Sequence, residues 1–405
     1  MAGTRSGHTE EYKLKTGIVF FLICFAAVRA FAEDQSFLYL DLNASGVITA
    51  EGKVLSATKF AHFQPTDRIP RNYVGIEYIR IFDHESSGTG LWPLRLATID
   101  LNPHLELDFD PPFSSWKQPS ASDVEFHPMR VDFNSDTKKL SLKLILHDFW
   151  IRFEPKLHPR MSLLLGHFDI PYGVNPVMSP RGGQFLMPPE IDDIGLKKDW
   201  GVRWKAPLGE YDYEVALTTG GGLGLHDPDW FDSKRPSAYL ASARVGAPTY
   251  WRFQYGLSGL YGKLPRLMAD EKLFGPPLER WRVNVDTFYK YMEHTIVMAQ
   301  AGVGRNSNPP MPKSFHPDDT TTLAGHVVVD YIPPGYQQLE FKFQVKSIWA
   351  DLGSTSKDHT YSVAEAAYSL SNSTTLRLDY VHDFRIPVMM GPKDDQFYFT
   401  LNYYE

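Results

Sequence analysis

The chain has 405 residues, of which 43% are hydrophobic and 14% aromatic, and its formal net charge is -7 at pH 7. This composition excludes a disordered chain. The net negative charge argues against nucleic acid as a partner, because such proteins need a basic face to displace counterions. A mean hydropathy of -0.30 and a single long apolar run exclude a helical membrane protein. A transmembrane β-barrel stays compatible, since only every second residue of its strands faces lipid.

The N-terminal segment has the pattern of a secretory signal peptide. Basic residues precede an apolar run over residues 16–28 that is too short to span a bilayer, and Ala30-Phe31-Ala32 follows as a small-x-small cleavage site. We therefore predict a cleaved signal peptide over residues 1–32 and a single β-barrel domain over residues 33–405. The alternative interpretation is an uncleaved N-terminal anchor.

Cys24, the only cysteine, lies within the predicted signal peptide. The rest of the chain can therefore form no disulfide, no cysteine-ligated metal site and no covalent attachment to a c-type haem. We predict that the protein carries no cofactor of its own.

Apolar and polar residues alternate along most of the remaining chain. Between Ile99 and Phe109 the odd-numbered positions are mostly apolar and the even-numbered positions are polar or acidic. A period of two predicts β-strands with one apolar and one hydrated face. The same alternation begins at these residues: Leu140, Trp200, Tyr211, Trp251, Trp281 and Leu339.

The lengths of the strands and of their links point to a membrane barrel. Strands of about nine to eleven residues cross a bilayer at a tilt, and aromatic residues cluster at the strand ends, as in interfacial girdles. From about residue 160 onward, short links such as 207–210 alternate with long ones such as 169–198 and 220–237. We therefore predict an all-β, transmembrane, antiparallel up-and-down β-barrel of about 16 strands, with 18 as the alternative, surrounded by outer-membrane lipid in a bacterial outer membrane.

The last predicted strand places Phe397, Phe399, Leu401 and Tyr403 on one face. This pattern resembles the C-terminal β-signal of outer-membrane proteins, and the resemblance implies the barrel assembly machinery as a partner. That signal normally ends on an aromatic residue, whereas this chain ends on Glu405.

A central stretch carries a further resemblance. Gly166-His-Phe-Asp-Ile-Pro-Tyr-Gly173 precedes a long loop, after which come Asp199-Trp-Gly-Val202, Asp212-Tyr-Glu-Val-Ala216 and Gly220-Gly-Gly222. Over about residues 160–225 this order resembles the phosphate-selective porin O and P group of trimeric outer-membrane porins. It also resembles the barrel subunits of porin–cytochrome electron conduits. The resemblance implies passive conduction of small solutes by a homotrimer, or a sheath around a multihaem cytochrome partner.

The loop over residues 169–198 is the candidate constriction of the predicted lumen. If it folds inward, its charged residues set the size and the field of the pore; the alternative is an external loop with solvated charges. The loop residues predicted to line the pore are Arg181, Asp192, Asp193, Lys197 and Lys198. The strand residues predicted to line it are Arg203, Lys205, Arg252, Arg282 and Lys342. Acidic residues on the same hydrated faces predict an interior of mixed charge without strong ion preference.

Motifs of enzymes and metal sites are weak in this sequence. There is no nucleophile elbow, the glycine run at residues 220–224 lacks the Lys-Ser/Thr of a phosphate-binding loop, and no two histidines stand at metal-ligand spacing. We therefore predict no enzymatic activity and no metal site. The leading hypothesis is an outer-membrane porin for small hydrophilic solutes or ions, and the alternative is a barrel sheath that conducts electrons with a multihaem partner.

Overall fold

The structure is a computed structural model that describes residues 35–49, 54–56, 72–82, 94–109, 140–155, 160–173, 198–220, 239–264, 278–292, 294–307, 320–349, 359–385 and 396–404. The predicted signal peptide lies outside these residues, as does most of the predicted constriction loop.

Strands make up nearly all of the described chain. They are β1 (Gln35–Thr49), β2 (Val54–Ser56), β3 (Asn72–Ile81), β4 (Leu94–Phe109), β5 (Leu140–Pro155), β6 (Ser162–Asp169), β7 (Lys198–Leu208), β8 (Tyr211–Thr218), β9 (Tyr239–Gly246), β10 (Phe253–Leu264), β11 (Leu278–Tyr291), β12 (Thr295–Ser307), β13 (Thr320–Tyr331), β14 (Leu339–Trp349), β15 (His359–Ser369), β16 (Thr374–Arg385) and β17 (Gln396–Tyr404). Within the described residues, no helix is long and apolar enough to cross a membrane.

The strands form one antiparallel sheet that closes on itself. From β3 to β17, each strand pairs with the next in the chain, and β1 pairs with β3 on one side and with β17 on the other. The three-residue β2 pairs with β1 on the edge that β3 occupies further along the strand, so it adds no position to this ring. Sixteen strands therefore make the barrel, which confirms the predicted fold and strand number.

The two faces of the barrel wall differ as the alternation predicts. On β11, Val283 and Val285 are exposed on the outside, whereas Arg282, Asn284 and Asp286 between them are buried on the inside. The same pattern holds for β14, where Phe341 and Phe343 are exposed and Lys342 and Gln344 are buried. A closed wall that is apolar outside and polar inside is a membrane-spanning structure, because it leaves no unpaired backbone edge in lipid.

Short and long links separate the two rims of the barrel. Strands β7 and β8 are joined through Gly209 and Glu210, β11 and β12 through residues 292–294, and β15 and β16 through residues 370–373. The links on the opposite rim are longer. Strand β1 begins, and strand β17 ends, at the rim of short turns. In membrane barrels the rim of short turns faces the periplasm.

An aromatic girdle surrounds the outside of the barrel near the short turns. Tyr211 packs against Trp251 and Tyr255 with ring centroids 6.1 and 6.2 Å apart, and Phe253 packs against Tyr289 at 6.0 Å. Amphipathic rings of this kind lie at the level of lipid headgroups.

The barrel seam lies where the first and last strands meet. The register pairs Asp41 with Tyr404 and Thr49 with Gln396. Tyr404 stacks on Tyr39 at 4.8 Å between ring centroids, and its hydroxyl donates a 2.6 Å hydrogen bond to Glu77 Oε2 on β3. The C-terminal residue of β17 therefore ties together three strands at the seam.

Candidate functional site

Polar side chains form a continuous row around half of the inner wall. The register places them opposite one another on successive strands, apart from one step that crosses β10. We call this set the polar row; its members are Lys205, Glu214, Arg244, Asp286, Gln300, His326 and Lys346. Acidic, basic and neutral groups are interspersed along it.

The β7–β8 end of the polar row is a set of ion pairs. Lys205 Nζ lies 3.2 Å from Glu214 Oε1 and 3.9 Å from Asp212 Oδ2. Arg160, in the turn before β6, contacts the same Asp212 at 2.6 Å. Arg203 lies 3.9 Å from Glu214 Oε2. These side chains are partly exposed on the inner wall. Each basic group lies within 4 Å of an acidic one, so the positive and negative charges of this cluster offset one another.

Arg244 extends the polar row across β10 to β11. Its Nη2 and Nε donate hydrogen bonds of 2.7 and 3.1 Å to the two carboxylate oxygens of Asp286. Gly256 lies on the strand between them, and a Cβ there would approach the guanidinium to 2.5–2.9 Å. The absence of a side chain at Gly256 therefore opens the path for this bidentate pair.

The described beginning of the 169–198 loop turns into the barrel. Ile170 packs with Leu240 and Leu260, whose side chains face the interior from β9 and β10. The backbone N–H of Gly173 donates a 2.9 Å hydrogen bond to Ser258 Oγ, which also accepts one of 3.2 Å from Asn284 Nδ2. The loop therefore leaves β6 and reaches the inner face of β10 and β11.

Close approaches at two glycines show that the loop extends to β12. Gly173 has φ +74°, and a Cβ there would overlap the side chain of Gln300 on β12. A Cβ at Gly302, also on β12, would come within 3.1 Å of the Tyr172 hydroxyl. The loop root, which we define as residues 169–173, thus contacts a wall six strands away from β6.

Both ends of the loop are fastened to the wall. Arg203 donates a 3.0 Å hydrogen bond from Nη1 to the carbonyl of Asp169, and its guanidinium lies 5.4 Å from the centre of the Phe168 ring. At the other end, buried Asp199 accepts hydrogen bonds from the backbone N–H of Gly220, at 2.6 Å, and from Thr219 Oγ1, at 2.8 Å. Asp199 therefore couples the end of this loop to the start of the link after β8.

A second charged cluster lies nearer the rim of short turns. Lys342 Nζ is 3.0 Å from Glu365 Oε1 and 3.5 Å from Glu340 Oε1. The side chains of Lys342 and Glu365 are 1% and 0% exposed. Because both charges are removed from water, this pair belongs to the packed wall rather than to a surface that solutes touch.

The predicted pore-lining residues fall into four groups. Arg203 and Lys205 lie partly exposed on the inner wall, whereas Arg282 and Lys342 face inward but are buried. Arg252 is not on a strand: it lies in the turn between β9 and β10, where its Nε donates a 2.8 Å hydrogen bond to the carbonyl of Lys290. The loop residues Arg181, Asp192, Asp193 and Lys197 lie outside the described residues, and only the backbone of Lys198 is described.

Sequence reasoning missed three residues of this site: Ser258 and Gln300, which meet the loop root, and Arg244 in the polar row. Ser258 and Gln300 are uncharged, and Arg244 lies in a strand of mostly small residues, so none stood out. The sequence signal available for Arg244 was the period of two in β9, which puts Leu240, Ser242 and Arg244 on one face and Ala241, Ala243 and Val245 on the other. In the described part of the chain, no three His, Cys, Asp or Glu side chains are arranged to hold a metal ion.

No protein-family model and no curated protein matches this chain. Solved structures do. An anion-selective porin from Comamonas acidovorans is similar at a TM-score of 0.53 and 10% identity, covering 92% of this chain and 100% of that one. The outer-membrane channel DcaP of Acinetobacter baumannii gives 0.52 and 12%, covering 93% and 99%. The trimer form of OmpT from Vibrio cholerae gives 0.50 and 8%, covering 92% and 99%.

These similar structures are outer-membrane β-barrel proteins of bacteria, so the chain has the porin fold. They share the location that the sequence predicts for this chain, the bacterial outer membrane. At such low identities the likeness concerns the fold, and a phosphate-selective subgroup is not distinguished by it.

Proposed function

We propose that this protein is an outer-membrane porin, a passive diffusion channel for small hydrophilic solutes or ions that has no enzymatic activity. The observation that carries this proposal is the loop root, which enters a polar-lined barrel and docks on β10–β12 instead of leaving the rim. A loop held inside a barrel narrows the passage while the wall around it stays hydrated.

In this proposal residues 169–198 form the constriction loop. Arg203 and Lys205 line the pore beside it, together with the loop residues Arg181, Asp192, Asp193, Lys197 and Lys198. The ion pairs of Lys205 with Glu214 and of Arg244 with Asp286 support a weak charge preference, because each of these two cations has an acidic neighbour. We propose a homotrimer as the assembly, supported by the trimer form of the similar OmpT structure. We also propose that the barrel assembly machinery recognises β17.

The sheath hypothesis receives less support. Arg282, Lys342 and Gln344 are buried on the inner wall, but their burial does not point to a cytochrome rather than to any other group inside the barrel. None of the similar structures reported above is described as an electron conduit.

Single-channel recording tests the proposal. The refolded full chain is added to a planar lipid bilayer at several KCl concentrations, with a heat-denatured sample as the control. We expect stable conductance steps that rise in proportion to salt, and a reversal potential close to zero in a salt gradient. A folded barrel that inserts without conducting would contradict the channel function. A large reversal potential would contradict the weak selectivity alone.

A further inference from the structure

The polar row is balanced in charge towards β7–β11 but not towards β12–β14. At the first end Lys205 pairs with Glu214, and Arg244 pairs with Asp286. The members that follow on the next three strands are Gln300, His326 and Lys346. They add one ammonium group and no carboxylate, so the row itself provides no negative charge for its last member.

Lys346 has no acidic neighbour on the described inner wall. Across the strands it stands opposite His326 on β13 and Tyr361 on β15. Along β14 the adjacent inward-facing residues are Gln344 and Ile348. Within the residues that the structure describes, Lys346 forms no ion pair, and it is only 2% exposed. An ammonium group removed from water in this way is costly unless a negative charge offsets it.

Lys342, four residues earlier on the same strand, is surrounded differently. Its ammonium group contacts Glu365 at 3.0 Å and Glu340 at 3.5 Å, and Asp330 stands opposite it on β13. Asp330 and Glu365 are four residues along their strands from the positions opposite Lys346, a distance of about 14 Å. The described acidic side chains of this part of the wall therefore gather around Lys342 and leave Lys346 without a counter-charge.

Two polar side chains beside Lys346 have unused hydrogen-bonding groups. In the described part of the barrel, both ring nitrogens of His326 and both amide atoms of Gln344 lack a hydrogen-bond partner. These side chains are 4% and 0% exposed. Cβ atoms of directly opposite residues such as His326 and Lys346 lie about 4.5–5.5 Å apart, and Gln344 is the next inward-facing residue on β14. An ammonium, an amide N–H and an imidazole N–H can therefore converge on one point of the wall.

We propose that Lys346, Gln344 and His326 bind one monatomic anion, with chloride as the natural occupant, as a resident ion of the inner wall. The anion offsets the ammonium charge and accepts hydrogen bonds from the amide and the imidazole. A single atom needs the smallest opening among side chains that expose so little surface, which favours it over an oxyanion or an organic acid. Because the site is enclosed in the wall, it does not depend on whether the barrel conducts solutes.

Thermal stability in two sodium salts tests this proposal. The refolded full chain in detergent is heated in sodium chloride or in sodium gluconate, whose anion is too large for the site, and the folded fraction is read from electrophoretic migration. We expect a higher midpoint of unfolding in chloride, with a rise that levels off at saturation, because a ligand of the folded state stabilises it. Lys346→Met should remove this rise. In gluconate this variant should be at least as stable as the wild type, because it no longer buries an unpaired charge.

Lys290→Met is the matched control, because Lys290 is an exposed lysine near the end of β11. It removes the same charge without touching the site, so it should keep the chloride-dependent rise. Equal responses of Lys346→Met and Lys290→Met would overturn the proposal, since the rise would then be a general effect of the salt.

Crystals of the full chain grown in sodium bromide provide an independent measurement. Bromide is also monatomic, and its anomalous scattering identifies it directly. We expect one bromide peak in contact with Lys346 Nζ and Gln344 Nε2, and no such peak in Lys346→Met. An ordered Lys346 side chain that contacts only water or a polyatomic anion would overturn the assignment.

Discussion

Arg244 on β9 and Asp286 on β11 form a bidentate ion pair across the intervening strand β10, passing over Gly256. The Asp286 side chain has no exposed surface, whereas that of Arg244 is 16% exposed. This pair joins two strands that share no backbone hydrogen bonds, and it therefore stiffens the wall on which the loop root docks.

Removing one partner of this pair should destabilise the barrel. We expect Asp286→Asn to lower the free energy of unfolding by about 3 kcal/mol, the low end for breaking a buried ion pair, because Glu214 remains beside Arg244. Urea unfolding of the refolded protein in lipid vesicles measures the effect. The double variant with Arg244→Gln should lose less than the sum of the two single variants. Additive losses would show that the pair contributes no coupling energy.

Gly173 and Gly209 offer a matched test of the loop root. Both have positive φ, +74° and +63°, but a Cβ at Gly173 would meet Gln300 whereas one at Gly209 has nothing within 4 Å. We expect Gly173→Val to displace the loop root and to raise single-channel conductance. Gly209→Val carries a similar backbone strain in a short turn, and it should leave the conductance unchanged. Equal conductance in the two variants would mean that the loop root does not narrow the pore.

A charged residue introduced on the outer face should destabilise the barrel more the deeper it lies in the membrane. Val285 lies midway along β11 on the outside, and Tyr291 ends the same face at the rim of short turns. We expect Val285→Arg to lower the free energy of unfolding by about 2–4 kcal/mol and Tyr291→Arg by about 0–1 kcal/mol. The same vesicle-based urea titration distinguishes them. Similar losses for the two variants would mean that this face is not embedded in lipid.

The hydroxyl of Tyr404 should contribute to closing the seam. Tyr404→Phe keeps the ring that stacks on Tyr39 but removes the hydrogen bond to Glu77. We expect a loss of about 1.5–3 kcal/mol, the range for a hydrogen bond to a charged group. A lower temperature for the heat-dependent shift in electrophoretic migration would report it. Tyr336→Phe, at an exposed tyrosine in the turn between β13 and β14, serves as the control, and an equal shift in that variant would count against a specific role.

The period of two in the sequence was enough to predict the barrel and the faces of most strands. It failed for β1, because Phe37-Leu38-Tyr39-Leu40 is apolar on both faces and carries no alternation. It placed Arg252 on a strand although β10 begins one residue later. The hydrogen bond from the Trp251 N–H to the Pro248 carbonyl keeps the chain in a turn there.

The candidate site was only partly accessible to the same reasoning. Sequence period identifies which residues face inward, and Arg203 and Lys205 were predicted on that basis. Whether a loop enters the lumen depends on its contacts with distant strands, and Gly173 and Ser258 are 85 residues apart. The sequence also did not predict which of the inward-facing residues are buried. Arg282 and Lys342 face inward as expected, yet packing removes them from water.

The seam has a consequence for how this chain can be rearranged. Strands β17 and β1 are antiparallel neighbours that meet at the rim of short turns, where Tyr404 stands opposite Asp41 and β1 extends six residues further, to Gln35. A peptide joining them would make the barrel covalently circular. New termini opened in the exposed turn at Ser371 and Asn372 would then leave every strand pairing in place. A permuted chain of this kind would form its present seam early, as a local hairpin, and would leave the β15–β16 pairing to close the ring.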